Sequence, residues 1–291
     1  MRLTTGNPCC RVGDFMMTSS HSRRFLLFTC IVLTAAAFVL VRELCRVPDG
    51  HATITFFDVG QGDSALLVSP SGKTVLIDGG PDLSALEALG NALPLSQKSI
   101  DLLILSHPDP DHFIAFPELL KRYKVGALLL PALQNDEEPY QALLAIARGQ
   151  GVPLVLADPS RDIDLHDGMT LDILWPPNPV PPMADNDASI VVRASYGTGS
   201  VLFTGDLSTT GEERMLSDGI DVSATVLKVG HHGSRFSSSD AFLAAVHPRL
   251  AVISVGENNY GHPHPETLER FTKAGIPVRT TIEEGKIDLT F

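Results

Sequence analysis

Between Ser106 and His112 the chain reads Ser-His-Pro-Asp-Pro-Asp-His, which puts His107, Asp109, Asp111 and His112 into six residues directly after the apolar stretch 102–105. So much polarity does not suit a core, because a buried polar group without a partner costs free energy. Imidazole nitrogens and carboxylate oxygens together suit a hard or borderline divalent cation such as zinc or manganese. Pro108 and Pro110 fix φ at two positions and stiffen the loop, so that His107 and Asp109 can converge. A solvated strand-to-helix turn capped by Asp111 is the alternative, but a cap needs one such side chain and not four.

Residues of the same chemical type stand at other strand-like ends. Asp206 closes the run 200–205, where it is either a ligand or a turn-forming aspartate, and His231-His232-Gly233-Ser234 follows the run 224–230. Adjacent side chains on a strand point to opposite faces, so His231 and His232 serve one site together only if the strand has already ended. Asp58 and Asp63 flank Gly60-Gln61-Gly62, Asp78 precedes Gly79-Gly80, and His262 and His264 lie in Gly-His-Pro-His-Pro. Each of these also has a plain reading as turn or solvated loop.

Strands must deliver such residues, and the sequence supplies them. Runs 52–59, 64–70 and 74–80 predict a three-stranded meander with a tight turn at Ser71-Gly72. Further strand-like runs occupy 100–107, 125–131, 152–158, 171–176, 189–197, 200–206, 224–230 and 250–256, with a final pair of strands at the end. Helical stretches are 84–93, 116–123, 140–148, 212–216, 239–246 and 265–275. Residues 175–187, with five prolines, read as a loop between strands. Two β-rich blocks, each followed by helices, predict two packed sheets with helices outside, and open α/β sheets place ligands at the carboxyl ends of strands.

With 44% apolar residues in 291, the chain has material for a substantial core. Its 34 acidic against 22 basic residues exclude a histone-like or repressor-like grip on phosphate backbones. Residues 1–50 hold six arginines and three acids, so residues 51–291 carry a net charge of −15. Any nucleic acid must be gripped locally. All four cysteines, Cys9, Cys10, Cys30 and Cys45, precede residue 51, so neither disulfides nor sulfur ligands serve the large domain.

Residues 25–41 are 17 consecutive residues without a charge, near the lower limit for a membrane-spanning helix. They are expected to form a transmembrane signal anchor between a cytoplasmic tail at 1–24 and a linker at 42–50. Arg2, Arg11, Arg23 and Arg24 upstream outweigh the mixed charges of Arg42, Glu43 and Arg46, which puts residues 51–291 outside the cytoplasm. A cleaved signal peptide is the rival reading, because Ala35-Ala36-Ala37 offers small residues of the cleavage type.

The segment 106–112 resembles the His-x-His-x-Asp-His metal motif of metallo-β-lactamase-fold hydrolases, and more closely the Ser-His-x-Asp-x-Asp-His variant of the hydrolase domain in the ComEC family of DNA-uptake competence proteins. Other landmarks recur in order: FDVGQGDS at 57–64, TVLIDGG at 74–80, LFTGDL at 202–207, VLKVGHHGS at 226–234 and AVISVGENNYGHPHPETLERF at 251–271. The resemblance covers essentially all of 52–291 and implies an αββα sandwich, an α/β fold of four layers, holding two divalent metal ions, zinc or manganese. It implies His107 and Asp109 on the first ion, Asp111 and His112 on the second, Asp206 between them, and His231 on the second. His232 is implied as a ligand, a supporting partner or a substrate contact. Asp63, Asp78 and His262 are implied as supporting or substrate-contacting residues. Where many members place another histidine, this chain reads Asp185-Asn186-Asp187-Ala188-Ser189. The Gly-Gly that usually follows Asp-His is Ile114-Ala115, after Phe113.

The activity implied is hydrolysis of a phosphodiester, DNA above all, in a DNA-uptake assembly, by a water activated between two ions with Asp111 and His232 as catalytic residues. A small ester, lactone or β-lactam is the alternative substrate, and a non-catalytic envelope module that keeps the fold is the other class. In the metal-free protein, crowding of Asp109, Asp111 and Asp206 is expected to raise their protonation and destabilise the empty site.

Overall fold

Alternating apolar residues and a tight turn build the first sheet from its amino end. Strands β1 (Thr53–Phe56), β2 (Ala65–Val68) and β3 (Thr74–Ile77) pair antiparallel as the meander expected from the sequence. After α2 (Ser84–Ala92), the sheet continues in parallel through β4 (Leu102–Ile104), β5 (Leu128–Leu130) and β6 (Leu154–Leu156). Helices α3 (Pro110–Phe113) and α4 (Phe116–Arg122) follow β4, and α5 (Glu138–Gly149) follows β5. The computed structural model describes residues 20–44, 48–133 and 135–291.

The second sheet repeats this plan. Strands β7 (Ile163–Asp164), β8 (Met169–Trp175), β9 (Val191–Tyr196) and β10 (Gly199–Phe203) are antiparallel neighbours. Then β11 (Val226–Lys228), β12 (Leu250–Ile253) and β13 (Val278–Thr280) extend it in parallel, with helices α6 (Thr209–Ser217), α7 (Asp240–Val246) and α8 (Pro265–Ala274) in the connections. Both final strands expected from the sequence are present, one in each sheet. β13 stays in the second sheet, and β14 (Ile287–Thr290) crosses to the first to pair antiparallel with β1.

Three separate apolar clusters define four layers. One packs the first sheet on α2, α4 and α5 through Leu76, Leu89, Leu103, Phe116, Leu119 and Leu143. A second lies between the sheets, where Phe56 and Phe203 stack at 5.7 Å. The third packs the second sheet on α6, α7 and α8 through Leu202, Leu227, Met215, Phe242 and Phe271. Helices cover only the outer sheet faces, which is the αββα sandwich. Strand carboxyl ends β3, β4, β10 and β11 therefore come to one edge of the sandwich.

Residues 1–46 and 47–291 are separate units. In the first, α1 (Ser20–Leu44) is longer than the uncharged run read from the sequence, and residues 24–44 are long and apolar enough to cross a membrane. Residues 1–19 of the expected tail, with Arg2, Arg11, Cys9 and Cys10, lie outside the described residues, as do residues 45–47 of the expected linker, with Cys45 and Arg46.

Candidate metal centre

His107 and His112 both come from the connection after β4. His107 sits directly beyond the strand, and the Pro110 start of α3 turns His112 back over it. Both imidazoles are fully buried, with ring centroids 4.1 Å apart. Asp206 arrives from the end of β10 in the opposite sheet, with Gly205 at φ +51 making the turn. A Cβ at Gly205 would meet Ser189 and Ser106 at about 3 Å, so glycine lets the two sheets' loops close on each other.

The histidine pair shows how a sequence ambiguity is resolved by backbone geometry. β11 ends at Lys228, and His231 and His232 follow at φ +49 and +52, both left-handed. The strand has ended, so both rings turn toward Asp206 rather than to opposite faces. His231 Nε2 and His232 Nε2 each lie 3.6 Å from Asp206 Oδ2. They differ in depth: His232 is buried, and the His231 side chain is about one-third exposed at the rim.

Around Asp206 the nitrogen and oxygen atoms converge without bonding. His112 Nε2 is 3.4 Å from Asp206 Oδ1, and His107 Nε2 is 4.0 Å from Asp206 Oδ2 and 3.5 Å from Asp109 Oδ2. Asp111 Oδ2 lies 3.3 Å from His232 Nε2 and 3.9 Å from His112 Nε2. Buried Nε2 atoms of His107, His112 and His232 and Oδ1 of Asp206 have no hydrogen-bond partner. Donors at 2.0–2.2 Å from one tetrahedral ion lie roughly 3.3–3.6 Å apart, so these spacings fit atoms gathered round cations. Asp111, His112, Asp206 and His232 form one such group, with His107 and Asp109 against its other side.

Behind the group stands a supporting layer. Asp78 accepts hydrogen bonds from the Ser106 amide and hydroxyl, both at 2.8 Å, and from His112 Nδ1 at 2.9 Å. His232 Nδ1 donates to the Ser254 carbonyl at 2.9 Å. A proton fixed on Nδ1 leaves Nε2 to face the site. Asp63 pairs with the buried ammonium of Lys228, and its Oδ1 is 3.4 Å from His232 Nδ1. Asp63, Asp78 and His112 also lie close together. Both Asp78 oxygens are engaged and Asp63 is paired to Lys228, so this trio supports the group beside it.

Without a metal the electrostatics correct one expectation. Asp111 and Asp206 do not repel each other into protonation. Burial works against ionisation of Asp206, yet the His232 and His112 charges hold it well below the usual range. Asp111, despite burial, is likewise lowered, chiefly by the His232 imidazole 3.3 Å away and by His112. Burial opposes charge on His232, but Asp206 and Asp63 push its pKa up to about 10. His112 is raised for the same kind of reason, against burial, by Asp206 and Asp78. His231 is lowered by burial, and His262 is lowered to about 4 by burial and by the neighbouring His231 and His232.

His262 stacks edge-on to His231, ring centroids 5.5 Å apart, at the mouth and not within the group. Ser106, Ser189 and Lys228 were not singled out from the sequence. Ser106 Oγ reaches Asp78, His107 Nδ1 and His112 Nδ1, and Ser189 Oγ accepts the Asp206 amide at 3.1 Å. Ser189 thus ties the stretch 185–189, which holds no histidine, to Asp206. Lys228, a lone ammonium in an apolar strand, was the one visible signal. The Ile114-Ala115 step packs closely: Ala115 is buried and the Ile114 amide donates to the Gly80 carbonyl.

Residues 57–257 match the model of the metallo-beta-lactamase superfamily. ComE operon protein 3 of Bacillus subtilis is 31% identical over 95% of this chain and 37% of its own length, and recombination protein 2 of Haemophilus influenzae is 34% identical over 90% and 31%. Competence protein ComA of Neisseria gonorrhoeae is 32% identical over 88% and 34%. The chain thus spans about a third of the length of these curated relatives. The metallo-beta-lactamase fold protein YhfI of Bacillus subtilis superposes at a TM-score of 0.57 with 12% identity, covering 82% of this chain and all of that one. Zn(2+)-bound PqqB of Methylobacterium extorquens superposes at 0.52 with 13% identity, covering 81% and 99%. At such identities the structures speak for the fold alone.

Proposed function

The chain belongs to the metallo-beta-lactamase superfamily, and on that premise we propose that it is a metal-dependent phosphodiesterase acting on DNA in a DNA-uptake setting. The observation that carries the reading is the convergence of buried, unpartnered His107, His112 and His232 Nε2 atoms with Asp206 Oδ1. Nothing among the described residues satisfies these four atoms, and buried polar groups are rarely left so.

His107, Asp109 and Asp206 would hold one divalent ion, zinc or manganese, and Asp206, Asp111, His112 and His232 a second, with His231 at the rim as a further donor. When bound, the ions supply Lewis acidity, making a coordinated water nucleophilic near neutral pH and offsetting charge on phosphorus oxygens. Asp111, the more exposed carboxylate of the group, orients the attacking water. Asp78 and the Ser254 carbonyl keep the Nε2 atoms of His112 and His232 aimed inward. Lys228 holds Asp63 against the back of His232.

Relatives named for competence and recombination support the DNA-uptake setting. The apolar helix α1 supports anchoring in a membrane, with the large unit outside the cytoplasm on the arginine count. The test is hydrolysis of bis-p-nitrophenyl phosphate and of linear DNA by the full chain in detergent with Mn²⁺ or Zn²⁺. Turnover that chelator abolishes is expected. Turnover of an ester, lactone or β-lactam with none of either phosphodiester would replace the substrate class.

A further inference from the structure

Tyr260 stands at the tip of the loop between β12 and α8 with 76% of its surface exposed, among the most exposed aromatic side chains of the large unit. Its position is not loose. The Asn258 side chain donates to the Gly256 and His262 carbonyls, both at 2.8 Å, and accepts from the amides of Tyr260 and His262. Gly256 in turn lies against Gly60, where a Cβ would meet backbone at 2.4 Å, so the loop is wedged beside the glycine loop that leads to Asp63.

From that tip a series of rings leads inward. Tyr260 and His262 lie 5.9 Å apart at 32° between planes, His262 and His231 5.5 Å apart, and His231 Nε2 is 3.6 Å from Asp206. His262 Nδ1 is buried and unpartnered, a polar atom on the same path. The adjoining loop is tied to this one by the His264 amide donating to Gly233, and it carries exposed Phe236 with the Arg235 guanidinium 4.6 Å over its ring. An exposed, pre-positioned aromatic ring beside a hydrolytic centre is the device that receives an unpaired base, because every nucleobase has a face to stack and a paired base does not offer it.

We propose that Tyr260, backed by His262, is a stacking platform for an unpaired nucleobase next to the scissile phosphodiester, so that the substrate is a single-stranded nucleic acid and not an intact duplex. This deepens the phosphodiesterase reading and rests on it for the chemistry, though not for the binding. An acidic domain gains in this way an affinity that does not depend on a long basic track, with Arg235 a cation on the adjoining loop.

The test is binding, measured by fluorescence anisotropy of a labelled short thymidine oligonucleotide with hydrolysis-resistant phosphorothioate linkages, on the Mn²⁺-loaded full chain. Wild type, Tyr260→Ala and Tyr260→Phe are compared, each checked for an unchanged thermal midpoint. Loss of the ring should weaken binding about 10-fold, within the range known for one stacked base, and Tyr260→Phe should restore it to within about twofold. An abasic strand of equal length and a blunt duplex should bind all three proteins alike. Equal affinity of wild type and Tyr260→Ala for the thymidine strand would overturn the proposal, as would the same Tyr260 dependence with the abasic strand or the duplex. Tyr260-dependent binding by a protein that cleaves no phosphodiester would uphold the platform and overturn only the catalytic reading.

Discussion

Asp206 Oδ1 and His112 Nε2, from the connections that follow strands of opposite sheets, face each other at 3.4 Å, both buried and neither with a hydrogen-bond partner. Closure of the sandwich sets that distance: β4 and β10 both end at the same edge, and Ser106 and Ser189 tie their loops together around Gly205. A cation held between them would account for such a pair standing apart and unpartnered.

Removing the support behind His112 should loosen the metal without emptying the fold. Asp78 sits at φ +60, a conformation asparagine tolerates, so Asp78→Asn keeps the backbone and alters the hold on His112 Nδ1. Metal affinity is expected to fall about 10- to 100-fold, the usual cost of a lost supporting carboxylate. Competition with a chromogenic chelator measures it, and wild-type affinity would remove Asp78 from the site.

Metal loading should release protons. In the metal-free protein His232, raised to about 10, and His112, also raised, are charged at neutral pH, and both must lose a proton to offer Nε2. Apparent affinity should therefore rise with pH between about 6 and 9. The metal-free fold runs the other way: a histidine raised in the folded state gives stability that is full below its unfolded pKa and is lost as pH rises through 10. Calorimetric titration in buffers of different ionisation enthalpy counts the protons, and zero release at pH 7 would contradict the charge assignment.

Asp111→Asn tests the water-orienting role. The rate on bis-p-nitrophenyl phosphate should drop on the order of 100-fold or more, as when one preorganised stabilising group is lost. Because Asp111 is lowered by the neighbouring His232 and His112, it stabilises the metal-free fold above the unfolded carboxylate range and loses that effect as pH falls. The variant without metal should thus melt below wild type at pH 7. A correctly folded variant with full turnover would exclude Asp111 from the chemistry.

Glu212 offers a control away from the site. Its buried carboxylate accepts the amides of Ser238 and Ser239 ahead of α7, and burial raises its pKa to about 7. Raised in the folded state, it stabilises fully below about 4.5 and loses that effect as pH rises through 7. The stability of Glu212→Gln relative to wild type should climb by roughly 3 kcal/mol across that window. Denaturant titrations at pH 4.5 and 8 check it, and a pH-independent difference would show that Glu212 is not raised.

The sequence made the sheets legible because their strands are local: β1 to β3 form one meander, and each strand that carries a site residue ends in a distinct turn. His107, Asp109, Asp111 and His112 were visible because they are neighbours in the chain. The Asp63–Lys228 pair was not, since 165 residues separate them and only closure of the two sheets brings them together. Nor was the greater depth of His232 over His231, which follows from two left-handed residues that no spacing rule announces. The return of β14 to β1 depends on long-range pairing in the same way. β6 shows the limit from the other side: the run 152–158 reads as a strand like the rest, and nothing in it tells that its apolar Val155 and Leu156 lie exposed on a sheet edge.

The most direct measurement is the metal content of purified full chain after incubation with excess Mn²⁺ or Zn²⁺ and removal of free ion, set beside that of Asp206→Ala. The account predicts close to two ions per chain in wild type and at most one in the variant, because Asp206 is the side chain both halves of the group share. No more than trace metal in wild type, or two ions retained without Asp206, would contradict it.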